Sequence, residues 1–338
     1  MESVNIKTLA QILDLSIATV SKALRDSYDI SKETKQKVIA LANELNYQPN
    51  PHASFLRKHS SKTIAVIIPE IANNYFTLAI NGIESIVHEK GYHVMIYLTH
   101  EDYTREIDFT RHLHCGRADG VLISVSSTTT DYRHLHELQE KGLPIVFFDR
   151  VCEGFNTVKV TTDDYESAYL ATKHLIDQGC RQIAHLGISK NLSIGDKRAK
   201  GYLQALQDYD LPVDESLLVE CVNDNIRDAA SINNLLVEKK PDGVFAAVER
   251  YAILTYERCE ALNLRIPYDV KIISFSNLQT ASLLNPSMST ITQPAFAIGR
   301  EAATMLLKAL EKKSFTLKNE NIILQSALTE RASTGKSH

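Results

Sequence analysis

Residues 16–24 read Ser-Ile-Ala-Thr-Val-Ser-Lys-Ala-Leu. A serine ahead of a short apolar-periodic run is a helix N-cap, since its hydroxyl can accept from the N–H three residues on, here Thr19. The spacing predicts a helix over 17–24. Val20 and Leu24 share one face and turn inward, while Ala18 and Lys22 share another, with Ile17 beside them at the N-terminal end. Upstream, Ile6, Leu9, Ala10 and Leu13 follow the spacing of an apolar helix face, and the pattern stops at Asp14-Leu15-Ser16. Downstream, Ser31 caps a third helix over 32–45, with Glu33 in its first turn and Val38, Leu41, Ala42 and Leu45 as its stripe. A connection of about three residues between the first two helices forces a sharp corner, and a corner followed by a supporting helix is a helix-turn-helix.

A helix docked in a major groove touches base edges with its N-terminal outward side chains. Lys22 can donate to guanine O6 or N7, and Ile17 or Ala18 can meet a thymine methyl. Asn5, Ser16, Thr19, Ser21, Arg25, Ser31, Thr34, Tyr47 and Asn50 suit phosphate oxygens. On spacing alone, a plain three-helix module with solvated polar faces fits equally well. Charge adds a hint. Residues 1–60 carry eight Lys/Arg against six Asp/Glu, so a head of net charge +2 precedes a body of −6 in a chain of −4. Residues 47–63 read as a linker, in which Pro51 suits the first position of a short helix over 52–56.

Beyond Lys62 the pattern changes. Ile64–Ile68 is a continuous apolar run, as in a buried parallel strand. Helical stretches (76–87, 107–113, 135–139) then alternate with strands (92–98, 120–124, 145–148). From Thr162 the alternation restarts, with helices over 168–177, 198–206, 229–236 and 252–262 and strands over 183–186, 217–220, 243–247 and 270–275. A helix (297–310) and a strand (321–325) close the chain. Two successive α/β units predict a bilobed body, with a ligand outside the C-terminal ends of the strands.

Composition excludes several classes. At 44% hydrophobic and 23% charged the chain is globular, and its apolar runs are far shorter than the ~20 residues of a membrane span. The N-terminus lacks a signal peptide's basic start and apolar stretch, and five scattered cysteines make no disulfide framework, so a cytoplasmic setting is expected. Gly-x-Ser-x-Gly, His-Glu-x-x-His, P-loop and Gly-x-Gly-x-x-Gly motifs are absent. The pairs His112/His114 and His134/His136 are two residues apart, which points them away from each other on a helix. No catalytic residue, metal or cofactor is assigned.

The segments Asn5-Ile-Lys-Thr-Leu-Ala, Ala18-Thr-Val-Ser-Lys-Ala-Leu, Leu45-Asn-Tyr-Gln-Pro-Asn and Ala53-Ser-Phe-Leu resemble the DNA-binding head of the lactose/galactose repressor (LacI/GalR) family. The resemblance continues through Ile64-Ala-Val-Ile-Ile-Pro, Asn73-Asn-Tyr-Phe, Phe148-Asp-Arg, Arg198-x-x-Gly-Tyr and Ser289-Thr-Ile-Thr-Gln-Pro. It implies a helix-turn-helix domain over 1–48, a hinge helix and linker over 49–62, and a periplasmic-binding-protein-like effector domain over 63–338. The first lobe would hold about 63–160 and 292–319, the second about 161–291 and 320–332. It further implies a homodimer on a palindromic operator, with Leu56 wedged into the minor groove. Asn74, Tyr75, Phe76, Arg150, Arg198, Asn223, Glu249 and Ser276 would bind a small-molecule effector between the lobes. Asp14 stands where the family has glycine in the helix-turn-helix corner, and Glu249 and Ser276 where aspartate is usual. The expected function is therefore a sequence-specific repressor of carbohydrate-utilisation genes. The alternative is a sugar-binding protein without DNA binding.

Overall fold

The computed structural model describes residues 4–47, 60–113, 115–312 and 314–335. Contacts divide the chain at Ser61/Lys62 into two units. The first holds α1 (Ile6–Ile12), α2 (Ile17–Ala23) and α3 (Lys32–Glu44), within a residue or two of the lengths their patterns predict. Each helix has a side-chain cap. Asn5 accepts from the Lys7 and Thr8 N–H groups, Ser16 from Thr19 and Ser31 from Thr34, which satisfies donors that a helix start leaves open. Asp14 takes a left-handed φ of 50°, so the corner forms without a glycine. Leu9, Ala10, Val20, Ala23, Val38 and Ala42 are buried together as the core of this unit.

The second unit has two sheets. The first contains β1 (Thr63–Ile68), β2 (His93–Leu98), β3 (Gly120–Ile123), β4 (Ile145–Phe148), β5 (Val158–Thr162) and a late strand, Glu320–Leu324. All its pairings are parallel, in the order β2-β1-β3-β4-β5-late strand. Between β1 and β2 runs α4 (Asn74–Glu89), between β2 and β3 α5 (Tyr103–Leu113), and between β3 and β4 α6 (Arg133–Glu140). The second sheet follows α7 (Asp164–Asp177). It holds β6 (Ile183–Gly187), β7 (Leu218–Glu220), β8 (Gly243–Ala246), β9 (Lys271–Phe275) and β10 (Ser289–Thr292). Its helices are α8 (Ser193–Asp208), α9 (Asn225–Asn234) and α10 (Glu249–Ala261). After β10 the chain returns to the first lobe as α11 (Ala295–Glu311) and β11, the late strand. It then crosses back as β12 (Ala327–Thr329), antiparallel to β10.

Two expectations are corrected here. The strand 158–162 is not predicted, because Val-Lys-Val-Thr-Thr has no continuous apolar run like those of the other first-lobe strands; it lies buried inside the sheet, where Lys159 Nζ donates to Phe155 O and Asn319 Oδ1. The lobe boundary in the tail is also different. Residues 320–324, assigned to the second lobe, pair register by register with 158–162 in the first, so the final crossing falls at 325–326. A short apolar run identifies a strand but not its sheet.

Candidate functional site

On the head, Ile17 (45% exposed), Ala18 and Lys22 stand on the outer face of α2, opposite buried Val20 and Ala23. Lys22 Nζ is 2.5 Å from Asp29 Oδ2 in the loop beyond α2, and this pair holds the Asp29 carboxyl below its usual range. Asn5, Ser16, Arg25 and Ser31 are exposed; Thr19, Thr34 and Tyr47 are half-buried. Ser21 is corrected. It is only 5% exposed, and its carbonyl accepts from Arg25 Nε, so it sits on the packed side of α2 one step from Val20. Asn50 and Leu56 lie outside the described residues.

In the body, the residues after the strands' C-terminal ends face each other across the lobes, the place where open α/β sheets bind ligands. Tyr75 and Phe76 follow β1, Arg150 follows β4, Arg198 lies on α8 after β6, Glu249 opens α10 after β8, and Ser276 follows β9. All six line one interlobe cavity of about 40 Å³, room for a few waters. Asn74 does not line it but joins the lobes, its Nδ2 donating to Glu249 Oε1 at 2.6 Å. Ser276 Oγ donates to the other Glu249 oxygen, also at 2.6 Å. The glutamate thus reaches across where a shorter aspartate would not. Val151 N–H to Ser193 Oγ (3.2 Å) and the Lys197–Glu153 pair (2.9 Å) close the same gap. Asn223 is set apart. It bonds Arg250 and lines a wider opening of about 450 Å³, beside Glu70, Glu101 and Glu220.

Both arginines are already neutralised. Arg150 Nη1 donates to both Glu101 oxygens (2.7 and 3.0 Å), whereas the adjacent Asp149 carboxylate is 4.0 Å from its Nε. Burial works to raise the Glu101 pKa, but the Arg150 charge and the Arg150 and Ser127 hydrogen bonds outweigh it and hold the group low. Arg198 is 2% exposed. Its Nε and Nη2 meet Asp164 Oδ1 (2.8 and 2.7 Å), Nη1 meets the Ala247 carbonyl (2.5 Å), and its plane stacks 3.8 Å over Phe275.

Asp149, Asp164, Glu101, Phe275, Asn277 and Gln293 belong to this site and are not singled out by sequence reasoning. A signal exists for Asp149, Phe275 and Asn277, since each directly adjoins a residue that the sequence nominates. Asp149, Glu101 and Asn223 carry φ values of 60–62°, local strain of the kind that gathers at ligand sites.

Burial raises the Asp149 pKa to about 6 against the pull of Arg150 and Arg198. A carboxyl whose folded pKa lies above its unfolded 3.8 supports the fold when protonated. That support is complete below about pH 4 and lost as pH rises through 6. Buried His185, pushed down to about 3, acts oppositely, costing stability as pH falls below 6.5. Comparison with Asp149→Asn isolates the first effect. From pH 5 to pH 7.5 the melting temperature of the parent is expected to fall relative to the variant; a constant difference would show that Asp149 does not titrate in that window.

A three-helix head that displays a capped recognition helix, carried on a two-lobed ligand-binding body, is the construction of a DNA-binding transcription regulator. Residues 5–50 match the bacterial regulatory proteins of the lacI family, and residues 172–334 match the periplasmic binding protein-like domain. The transcriptional regulator RegA of Clostridium saccharobutylicum is 30% identical over 337 residues, 98% of this chain and 99% of that one. The ribose operon repressor of Halalkalibacterium halodurans is 29% identical over 310 residues, 91% of each chain. Among solved structures, a LacI family regulator from Enterococcus faecium with bound ribose is 27% identical, with a TM-score of 0.71 over 82% of this chain and all of that one. The Lac repressor dimer bound to operator, 21% identical, shares the fold over 98% of this chain and 99% of that one, with a TM-score of 0.85. This chain belongs to the lacI family of bacterial regulatory proteins. Among the described residues no helix is long and apolar enough to cross a membrane.

Proposed function

We propose that this chain is a cytoplasmic, non-enzymatic repressor of carbohydrate-utilisation genes, binding a palindromic operator as a homodimer and switched by a carbohydrate held between the lobes. The observation that carries the reading is the two-faced α2, with Ile17, Ala18 and Lys22 outward and Val20 and Ala23 in the core. Names of relatives support the rest: a ribose operon repressor, a ribose-bound regulator and an operator-bound dimer.

In this reading Ile17, Ala18 and Lys22 meet bases, and Asn5, Ser16, Thr19, Arg25, Ser31, Thr34 and Tyr47 meet phosphates, joined by Asn50 and by Leu56 in the minor groove. Control is a linkage. An effector that prefers one lobe closure and DNA that prefers one arrangement of the paired heads bias the same equilibrium. Asn74, Glu249 and Ser276 are the groups an effector would re-partner.

The test is selection of bound fragments from random duplex DNA. The full chain should enrich a two-fold symmetric site, and a chain lacking residues 1–61 should enrich none. Lys22→Ala should relax base preference at one symmetric pair of positions, costing about 1–3 kcal/mol of discrimination. An unchanged enrichment profile would remove Lys22 as a base reader.

A further inference from the structure

We infer that Asp29 is a positioning residue for base reading: its carboxylate holds the Lys22 ammonium for a guanine edge and keeps it off the phosphates. The inference rests on Lys22 being a base reader, as proposed above, and adds the residue that aims it.

Among the described residues of the head, three lysines are paired with carboxylates. Lys22 meets Asp29 at 2.5 Å, Lys35 meets Asp26 at 2.6 Å and Lys37 meets Glu33 at 2.7 Å. Of these three, only Lys22 stands on the outer face of α2 with Ile17 and Ala18. The Lys37 pair joins neighbouring turns of α3, and the Lys35 pair ties α3 to the loop before it. The Lys22 and Asp29 side chains are 47% and 37% exposed, open to a docking groove.

The loop that carries Asp29 is anchored on both sides of it. The Ser27 N–H returns to the Lys22 carbonyl at 3.0 Å, and the Ile30 N–H to the Ser27 carbonyl at 3.2 Å. Asp26 turns the chain with a left-handed φ of 55°. Ile30 packs against the head's core, and Ser31 caps α3 immediately beyond it. The carboxylate therefore meets Lys22 from a held position, across the turn that ends α2.

An ammonium has three N–H donors and no acceptor. Asp29 takes one, which leaves two for guanine O6 and N7. Without a tether, a lysine is a point charge on a flexible four-carbon stem. Phosphate and sugar oxygens draw roughly half or more of the hydrogen bonds that proteins make to DNA, so a free lysine finds them readily. Pairing also cancels the charge that phosphates attract, so Lys22 adds little to sequence-independent binding. In water an exposed ion pair is weak. A groove that sheds water lowers the local dielectric and strengthens it. The tether thus tightens where the base is read.

The experiment is selection of bound fragments from random duplex DNA by the full chain, Asp29→Asn, Asp26→Asn, Lys22→Ala and Lys22→Ala/Asp29→Asn. Fluorescence anisotropy then measures each on the parent's selected site and on a scrambled duplex over a range of salt. Asp29→Asn should cut the preference for guanine about tenfold at the symmetric pair of positions that Lys22→Ala relaxes. Its binding to the scrambled duplex should tighten, and the log–log salt slope should steepen by about one unit per subunit, as one more phosphate contact requires. Asp26→Asn removes the same charge from the same loop but frees Lys35 instead, and should leave the base profile as in the parent. In the Lys22→Ala background, Asp29→Asn should change the profile no further. A parental profile in Asp29→Asn, with Lys22→Ala relaxed, overturns the inference and leaves Lys22 a reader. Equal relaxation by Asp26→Asn and Asp29→Asn overturns it too, since charge alone then accounts for the effect. So does a further change in the double variant, which makes Asp29 a reader in its own right. An unchanged profile in Lys22→Ala overturns the reading and this inference together.

Discussion

Replacing Arg198 with alanine is expected to cost about 3–5 kcal/mol of stability, the range for breaking a buried ion pair. The pair is almost wholly removed from water, with Arg198 and Asp164 each about 2% exposed. The variant would leave Asp164 buried opposite nothing, and burial already pushes its carboxyl pKa up with the arginine present. It would also strip the face of Phe275 and free the Ala247 carbonyl. Urea unfolding measures the loss. Arg198→Ala/Asp164→Ala should be less destabilised than the two single losses added together, because the second change removes the stranded charge. Strict additivity would show that the two groups do not depend on each other. Effector affinity should fall as well, but stability is the larger effect, since most of this guanidinium is spent within its own lobe.

A second large effect is expected where α4 crosses α11. A methyl group on Gly82 would sit 2.1 Å from the Phe296 carbonyl oxygen, and one on Gly299 would sit 2.0 Å from that of Ala79. The obstruction is backbone in both directions, so no side chain can rotate away. Gly82→Ala and Gly299→Ala should each cost on the order of 3 kcal/mol, the upper part of the range for overpacking. Gly91→Ala is the control. Its added methyl meets nothing within 4 Å, and only its φ of 69° resists, a penalty of roughly 1–2 kcal/mol. Equal melting temperatures for Gly82→Ala and Gly91→Ala would contradict the close crossing. The effect bears on function because α4 begins at Asn74, Tyr75 and Phe76, and pushing it off α11 shifts one wall of the cavity.

The head's helices and two of their three side-chain caps, Ser16 and Ser31, are legible in the sequence, because each follows from residues within four positions of one another; the Asn5 cap is a finding of the structure. The alternation of strands and helices is legible for the same reason. Six of the eight effector residues that the family resemblance implies line one cavity; each adjoins the C-terminal end of an apolar strand or lies on the helix that follows it. The misses have a shared cause. Ser21 is polar on the packed side of an amphipathic helix, and Asn223 follows a strand but opens onto the outer rim. Glu101 offers no local sign that it, rather than the adjacent Asp149, claims Arg150.

Sequence alone thus determined the local elements, their order and the strand ends that face a ligand, since backbone capping and hydrophobic periodicity act over one or two turns of chain. Only the tertiary structure decided which carboxylate holds which guanidinium, that 320–324 extends the first sheet, and that Glu249 links Asn74 to Ser276. These are choices among groups of like chemistry tens to hundreds of positions apart, and distance and burial in the folded chain select among them.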